Sequence, residues 1–378
     1  MIYLDHNAST PTLPEVRAAV AAALELAGNP SSQHAAGRRA RAAIEQAREQ
    51  LAAAIGAAPA EIVFTSGGTE ACALGLAGAA AGLGARAVLY TAAEHSAVLA
   101  AARALAARGL VALELPVDRR GRLALATVAR ALAEAPRPAL LAVHSANNET
   151  GTRQDVPALA ALAHEHGALL FADAVQSLGK EPVQVAAWGA DLLALSAHKI
   201  GGPKGTGALW IRTGVPFAPP LAASQEFERR AGTENVPGIA GFGAAAALVP
   251  QRLARMPQVR RLRDELLARV RAALPQVQVH GDPETGLPNT LNLGFPGVDG
   301  EALRLLLDLE GVAVSGGSAC ASGAARPSHV LLAMGHDRAA ARGAVRLSLG
   351  PETTAEEVER AASALVDAAR RARATALR

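Results

Sequence analysis

The sequence contains few cysteines and few aromatic residues. It has two cysteines, Cys72 and Cys320, among 378 residues, and aromatic residues make up 3% of the chain. Two thiols do not form the disulfide framework of a small secreted protein, so each is a lone thiol and a reducing compartment is expected. Half of the residues are hydrophobic, mainly Ala, Leu and Val, which is typical of a globular protein.

The chain also has little excess charge and no long apolar run. Its net charge of +3 is spread thinly, without a basic run interleaved with aromatic residues, so no direct nucleic-acid partner is expected. The first ten residues, MIYLDHNAST, lack a basic stretch followed by an apolar core, and no window of about 18 residues is apolar enough to span a bilayer. We therefore predict a cytoplasmic protein with no membrane partner. The ten histidines are scattered without ligand-like spacing, so no metal site is predicted.

Short apolar runs alternate with helical patterns between about residues 61 and 212. This alternation predicts an α/β fold whose mostly parallel sheet is covered by helices on both faces. Ligands of such sheets bind at the carboxyl ends of the strands, so the polar residues after each run are the candidates for function. The predicted strands are 61–66, 85–91, 111–117, 139–145, 168–174, 191–197 and 207–212, and one of the helices between them is predicted at 156–166.

The second half of the chain has a different pattern. Residues 213–240 gather proline, glycine and polar residues, which predicts a long ordered loop or connector, followed by a helical segment. From about residue 250 onward the pattern predicts a smaller α+β domain. Its strands are expected at 277–281, 290–295, 312–316 and 344–349, and its helices at 258–273, 300–309 and 355–373.

Lysine is nearly absent from the chain. Only Lys180, Lys199 and Lys204 are lysines among the 37 basic residues, and two of them lie in SAHKIGGPKGTG, residues 196–207. Arginine stays protonated, whereas a buried lysine can lose its proton and attack a carbonyl carbon. Lys199 directly follows a predicted strand, so it is the candidate nucleophile, although a solvated loop lysine is the plain alternative. That plain interpretation applies to Lys204.

Two further strand ends carry residues suited to pyridoxal phosphate. Asp173 ends the run ALLFAD, and a partly buried carboxylate there could pair with the protonated ring nitrogen of this cofactor, although Asp173 could also be a helix N-cap. In FTSGGTEA, residues 64–71, Gly67 and Gly68 let backbone amides approach an anion where a helix begins, and Thr69 adds a hydroxyl. A plain strand-to-helix turn is the alternative for this segment. Ser196 and His198 could add phosphate donors.

Three more polar residues follow predicted strands. His95 could stack on a flat cofactor ring or move protons, although a loop histidine is more often a surface residue. Asn148 and Gln176 could equally be turn or cap residues. Cys72 lies in an apolar helical pattern that suits a buried thiol. Cys320 lies among Gly, Ser and Ala in SGGSACASGAARPS, which predicts a reachable thiol on a mobile segment.

These segments together resemble cysteine desulfurases of the NifS/IscS type, within the class V aminotransferase family. The similarity runs in order over essentially the whole chain. It rests on YLDHNAST (3–10), GNPSSQHAAGR (28–38), FTSGGTEA, AEHSAV, NNETG, DAVQSLGK, SAHKIGGPKGTGALW, RRAGTENV (229–236), GGSACAS (316–322) and VRLSLG (345–350).

The resemblance implies a fold and a site. The fold would be that of type I pyridoxal phosphate enzymes, with a mainly parallel seven-stranded sheet in a large domain, 13–249, and a small domain formed by 1–12 and 250–378, which carries the cysteine loop at about 316–328. Lys199 would hold the cofactor as a Schiff base, Asp173 would pair with the ring nitrogen, His95 would stack and shuttle protons, and Gln176 would contact the ring hydroxyl. The cofactor phosphate would be bound by Gly68, Thr69, Ser196 and His198, together with Thr233 of a second subunit. The substrate carboxylate would be bound by Asn148 and Arg346, and Asn148 is also counted among the cofactor-binding residues.

The resemblance also implies a reaction. L-cysteine would be converted to L-alanine while its sulfur passes to Cys320 as a persulfide, then to an acceptor protein of iron–sulfur cluster assembly or of tRNA or cofactor thiolation. A homodimer is expected. Cys320 could also be a transient ligand of an iron–sulfur cluster. The alternatives are a selenocysteine lyase or another class V aminotransferase and, in a different class, a noncatalytic pyridoxal phosphate-binding assembly partner.

Two features depart from the family pattern. Ala222, Ala223 and Ser224 precede Gln225 and Glu226 where the family usually has a glycine triplet, which concerns the local loop geometry. The chain ends soon after the predicted helix at 355–373, without the longer tail with which housekeeping members dock an iron–sulfur scaffold. The sequence therefore leaves the sulfur acceptor open.

Overall fold

The computed structural model describes residues 1–221, 224–316 and 327–376. Outside these ranges lie Cys320, most of its predicted loop, and Ala222 and Ala223, two of the residues that differ from the family pattern. The described strands are β1 Ile2–Tyr3, β2 Ile62–Thr65, β3 Ala87–Thr91, β4 Val111–Leu115, β5 Ala139–His144, β6 Leu169–Asp173, β7 Leu192–Ser196, β8 Gly207–Ile211, β9 Gln278–His280, β10 Thr290–Gly294, β11 Val312–Ala313 and β12 Ala344–Ser348.

The helices alternate with these strands in the first two thirds of the chain. Short 3₁₀ turns lie at Pro59–Glu61, Ala197–Lys199 and Glu226–Glu228. The described α-helices are α1 Pro14–Leu24, α2 Ala35–Ile55, α3 Gly68–Leu83, α4 Ser96–Ala106, α5 Leu125–Glu134, α6 Val156–Glu165, α7 Val185–Trp188, α8 Val236–Ala247, α9 Val249–Ala273, α10 Gly300–Leu309, α11 His329–Ala333, α12 Arg338–Arg342 and α13 Ala355–Ala376.

A large sheet organises the region from β2 to β8. Its seven described strands have the order β2-β8-β7-β6-β5-β3-β4, and only β8 runs antiparallel to its neighbours. Parallel strands joined by helical crossovers are covered on both faces and are therefore continuously apolar, as in β7, whose five residues are all buried. The predicted α/β fold with a mainly parallel seven-stranded sheet is confirmed.

Alternate residues of each strand pack on opposite faces of this sheet. Leu193 and Leu195 belong to the core beneath α2, α6 and α8. Leu192 and Ala194 belong to the core beneath α3 and α4. This alternation follows from the two-residue period of a strand. A separate core joins β10 and β12 to α9, α10 and α13. No helix in the described ranges combines the length and the apolarity needed to cross a bilayer.

The smaller sheets place the N-terminus beside the C-terminal third of the chain. Strands β9, β10 and β12 form an antiparallel sheet in the order β12-β10-β9. Strand β1 pairs in parallel with β11, so that Ile2 lies opposite Val312. The β1 strand was not predicted, because two residues are too short to show a period.

Two helix boundaries differ from the sequence prediction. Helix α8 begins at Val236, inside the predicted connector, because the Asn235 side chain accepts a hydrogen bond from the Gly238 amide and Pro237 suits a first turn. Helix α9 begins at Val249 and continues through Pro257, whereas the pattern predicted a start at residue 258.

The connector contains a strained turn shortly after the residues that differ from the family pattern. Glu226, Phe227 and Glu228 have φ values of 46°, 57° and 62°, in the left-handed region that residues other than glycine rarely adopt. Glu226 is buried, and its two carboxylate oxygens each lie 2.9 Å from a guanidinium nitrogen of Arg48 on α2. The guanidinium of Arg48 also lies over the Phe227 ring, 4.8 Å from its centroid. This buried ion pair holds the turn in place.

Candidate active site

The carboxyl ends of the parallel strands of the large sheet converge at one edge. Asp173 at the end of β6 lies opposite His144 of β5 and Ala194 of β7. The predicted site residues follow five of these strands, so the topology brings them to the same edge. They are Gly68 and Thr69 after β2, His95 after β3, Asn148 after β5, Gln176 after β6, and Ser196, His198 and Lys199 at and after the end of β7.

A cavity of about 320 Å³ lies where α3 begins. A Cβ atom on Gly68, the first residue of α3, would lie 2.8 Å from a methyl group of Val175, so glycine is needed for this close approach. The helix N-terminus directs backbone amides and a positive partial charge toward the cavity, which suits an anion. The lining residues include Ser66, Gly67, Gly68, Thr69, Ser196 and His198.

Two side chains of this cavity are suited to phosphate. The Ser196 hydroxyl is buried and has no hydrogen-bond partner within the described part of the chain. Burial, together with the charges of Lys199, Lys204 and Lys180, lowers the pKa of His198 to about 4, so its imidazole is neutral at pH 7. His198 Nδ1 lies 3.3 Å from the Ser9 hydroxyl. The cavity thus offers hydroxyl and imidazole groups beside a helix N-terminus.

Thr233 is not brought to this cavity by its own chain. Its side chain is exposed, and it is absent from the described residues that line the cavity. It follows Gly232, whose backbone N–H donates to the Gln225 side chain at 3.0 Å.

The amine of Lys199 is held by the N-terminal segment. Lys199 lies on the 3₁₀ turn after β7, and its Nζ donates to the carbonyl oxygens of Asn7 at 2.6 Å and Ala8 at 2.9 Å. Ala8 and Ser9 also line the cavity. Lys199, the candidate nucleophile, therefore lies beside the candidate phosphate site. The segment that holds its amine is distant from it in sequence.

Asp173 is buried and closes a turn instead of capping a helix. Its Oδ1 accepts a hydrogen bond from the Val175 amide at 3.0 Å, and no described helix begins directly after it. Burial raises the pKa of Asp173, and His95, the Val175 amide and His144 oppose this effect. A cationic partner would stabilise the ionised form of a carboxyl group that is buried in this way. The helix N-cap alternative for Asp173 is therefore wrong.

His95 caps α4 with one ring nitrogen. Its Nδ1 accepts a hydrogen bond from the Ala97 amide at 3.2 Å, which places the ring proton on Nε2. His95 also opposes the rise in the pKa of Asp173.

Asn148, in the turn after β5, meets Arg346 on β12 of the smaller sheet. Arg346 on β12 is almost fully buried, and its Nη1 donates to the Asn148 carbonyl oxygen at 3.1 Å. Its Nη2 donates to Asp5 Oδ1 at 2.7 Å, while its Nε has no partner in the described ranges. A guanidinium with an unused donor, next to a strand-end asparagine, is suited to a carboxylate.

The sequence reasoning missed residues that support these groups. Asn7 accepts from Lys199 and Gln176 through its carbonyl oxygen and donates its side-chain N–H to Thr290 Oγ1 at 2.9 Å. Lys180 lies buried against Asn7 and Gln176. The only available signal was their presence in YLDHNAST and DAVQSLGK, since neither residue follows a predicted strand directly.

Glu149 is a further buried acid that was missed. It accepts a hydrogen bond from the Ser328 hydroxyl at 2.5 Å, and burial raises its pKa against the opposing effects of Ser328, His329 and Arg346. Cys72 on α3 is 1% exposed, and burial raises its pKa well above the ordinary value, so its predicted character as a buried thiol is confirmed. Such a thiol is unreactive.

The sequence profile of the family described as aminotransferase class-V matches residues 2–361. The chain belongs to this family. A class V relative from Cereibacter sphaeroides named cysteine desulfurase is 47% identical over 364 residues, which cover 95% of this chain and 93% of the relative. A solved structure titled NifS-like protein has a TM-score of 0.89 and 34% identity, and the match covers 97% of this chain and 98% of that one.

A second solved structure, titled SspA in complex with cysteine, has a TM-score of 0.80 and 30% identity. The match covers 94% of this chain and all of that chain, 100%. Similarity at this level over nearly the full length confirms both the resemblance to the class V family and the fold inferred from it. Class V members of the cysteine desulfurase type are pyridoxal phosphate-dependent enzymes.

Proposed function

We propose that this class V enzyme is a pyridoxal phosphate-dependent cysteine desulfurase that converts L-cysteine to L-alanine and transfers the sulfur to Cys320. The observation that carries the proposal is the convergence of Lys199, buried Asp173 and the glycine cradle at one edge of the sheet. It is supported by the relative named cysteine desulfurase and by the neighbour whose title names cysteine as its ligand.

The residues at the cavity fit this cofactor. The partnerless buried hydroxyl of Ser196, the neutral imidazole of His198 and the N-terminus of α3 suit the phosphate group. Asp173 suits the ring nitrogen, because its raised pKa reflects a buried carboxyl group that lacks a full counter-charge. We assign the remaining cofactor contacts to Gly68, Thr69, His95, Asn148, Gln176 and Lys199, joined by Thr233 of a second copy.

Substrate binding and proton transfer fall to the chain's own residues. The bound cofactor supplies an electron sink that acidifies the Cα–H bond of the amino acid. Arg346 and Asn148 orient the substrate carboxylate, since the guanidinium fork matches two carboxylate oxygens. The Nε2 proton of His95 is the exchangeable one, because Nδ1 is held by the Ala97 amide. Lys199, held by the carbonyl oxygens of Asn7 and Ala8, is the attachment amine.

Sulfur transfer needs a second nucleophile, and we assign it to Cys320 from the sequence. Its thiolate attacks the substrate sulfur, the Cβ–S bond breaks, and an S–S bond forms, so the products are alanine and a Cys320 persulfide. Only the thiolate is nucleophilic, and at an ordinary pKa of about 8.5 a few per cent of the thiol is ionised at neutral pH. An acceptor protein of cluster assembly or thiolation then removes the persulfide sulfur.

We also propose two domains, 13–249 and 1–12 with 250–378, in a homodimer. The separate cores support the division, since the core beneath α2, α6 and α8 runs from Val16 to Val249 and the core around β10 and β12 contains Ile2, Leu4 and residues from Met256 onward. The exposed position of Thr233 in a single chain fits a role across a subunit interface.

The deciding experiment is an absorption spectrum of the purified protein with pyridoxal phosphate, followed by alanine and sulfide assays with L-cysteine. We expect a visible band and equal amounts of alanine and sulfide in the presence of a thiol reductant. A protein without the band, or one with the band that releases no alanine, would contradict the proposal. A protein with the band that releases no alanine would point to a noncatalytic pyridoxal phosphate-binding assembly partner. Activity with selenocysteine alone would point to a selenocysteine lyase. The names of the relatives favour neither alternative.

A further inference from the structure

Lys180, the lysine of the chain that has not yet been given a role, is buried beside the site. Lys180 is 5% exposed and lies on the turn that follows β6. Its Nζ donates to Gln176 Oε1 at 2.5 Å and to Asn7 Oδ1 at 2.8 Å. A single amine thus contacts both a residue assigned to the cofactor ring and the residue whose carbonyl oxygen holds the Lys199 amine.

These contacts fix which way two amide groups face. Because the amine donates to both oxygens, the Gln176 Nε2 group faces the other way and donates to the Asn7 carbonyl oxygen at 3.1 Å. The Asn7 Nδ2 group likewise donates to Thr290 Oγ1 at 2.9 Å and to the Asn148 carbonyl oxygen at 3.2 Å. Without the Lys180 amine, the Gln176 oxygen would lose its partner in a buried site and the amide could turn over.

The surroundings of this amine disfavour its charged form. Burial, followed by the charges of Lys199, Arg252 and Arg346, lowers the pKa of Lys180 well below its ordinary value, and Glu181 opposes this. The Gln176 and Asn7 oxygens each accept one N–H group of this amine. Burial, followed by the charges of Arg252 and Lys180, lowers the pKa of His6 to about 3, so His6 adds no charge near neutral pH.

We propose that Lys180 is a positioning residue of the cofactor site, whose amine sets the orientation of the Gln176 side chain so that its N–H group is presented as a donor. This inference rests on the proposed function. It assigns a use to a buried lysine that forms no part of the cavity lining.

The test compares Lys180→Met, which keeps the length of the side chain but removes the donor, with the unchanged protein. Pyridoxal phosphate is titrated into each apoprotein and followed by the visible band, whose position and pH midpoint are also recorded. We expect roughly tenfold weaker cofactor binding for Lys180→Met, the size of one buried hydrogen bond left unmade, with a shifted band. The donor-retaining variant Lys180→Gln should lose about threefold or less.

A double-mutant cycle shows whether the effect passes through Gln176. In a Gln176→Leu background, Lys180→Met should weaken binding by less than about twofold, because the amide that Lys180 orients is gone. Equal losses in both backgrounds, or equal losses for Lys180→Met and Lys180→Gln, would overturn the inference.

A matched control separates positioning from general destabilisation. Asp191 is a buried acid just before β7, at the opposite edge of the sheet, where it accepts from the Leu170 amide. Asp191→Asn should lower the melting temperature and leave the visible band unchanged. If Lys180→Met behaves as Asp191→Asn does, Lys180 is only structural and the inference fails. If the unchanged protein takes up no pyridoxal phosphate, the proposed function fails first and the inference falls with it.

Discussion

Replacing Asp173 with asparagine should have opposite effects on the apoprotein and on the cofactor complex. The substitution keeps the side-chain oxygen that accepts from the Val175 amide but removes the charge. In the apoprotein, burial and the nearby Glu94 raise the pKa of Asp173, against His95 and His144. A carboxyl group whose pKa is raised by folding stabilises the protein below its unfolded pKa, about 4, and this contribution is lost as the pH rises through the folded value.

The apoprotein of Asp173→Asn should therefore be more stable than the unchanged apoprotein at pH 7, and the difference should shrink as the pH falls toward 4. In the complex the sign reverses, because the protonated ring nitrogen loses its buried partner. Breaking such a pair costs about 3–5 kcal/mol, which is between about two and four orders of magnitude in the dissociation constant of pyridoxal phosphate.

Two assays check this pair of predictions. Thermal unfolding of both apoproteins is measured between pH 4 and 8, and pyridoxal phosphate is titrated into each at pH 7 with the visible band as readout. Asp173→Glu, which restores the charge one methylene further out, is the matched control and should recover part of the affinity. Cofactor binding by Asp173→Asn within about threefold of the unchanged protein, or a less stable apoprotein at pH 7, would refute the reasoning.

Three further predictions follow from the site and the connector. Lys199→Ala should lose the visible band after dialysis, whereas Lys204→Ala, which removes an exposed amine, should keep it; a yellow, active Lys199→Ala protein would refute the assignment. Cys320→Ala should still bind the cofactor but release no sulfide from L-cysteine, and full sulfide release would reject the thiol. Arg48→Met should lower the free energy of unfolding by about 3–5 kcal/mol in urea denaturation, because Glu226 is left buried without its partner; a loss below about 1 kcal/mol would contradict this.

The sequence predicted the large sheet well because its strands are buried on both faces. Continuous apolar runs such as Leu192–Ser196 leave little ambiguity, and the strand-end rule then located Lys199, Asp173 and Gln176. Strand β1 has two residues and no detectable period, so its pairing with β11 could not be predicted. Helix α9 begins at Val249 instead of residue 258 and passes through Pro257, a residue type that usually marks a helix boundary.

The supporting residues of the site were beyond sequence reasoning for a different reason. Asn7 acts through contacts with Ser348 and Asn289, which lie 341 and 282 positions away along the chain. The lowered pKa of Lys180 comes from its burial and from the charges of Lys199 and Arg252, whereas residue type alone predicts an exposed group. Only the folded arrangement shows that these two residues meet at Gln176.

The contacts of the first ten residues set the order in which the protein can mature on the ribosome. The segment that holds the Lys199 amine is anchored by Asp5 to Arg346 and by the Asn7 amide to the Ser348 hydroxyl, each contact spanning 341 positions along the chain. Arg346 and Ser348 are translated after β8, the last strand of the large sheet along the chain, and such distant closures form late. The nascent chain can therefore build the large sheet early but cannot complete a competent attachment amine until Arg346 and Ser348 have been synthesised.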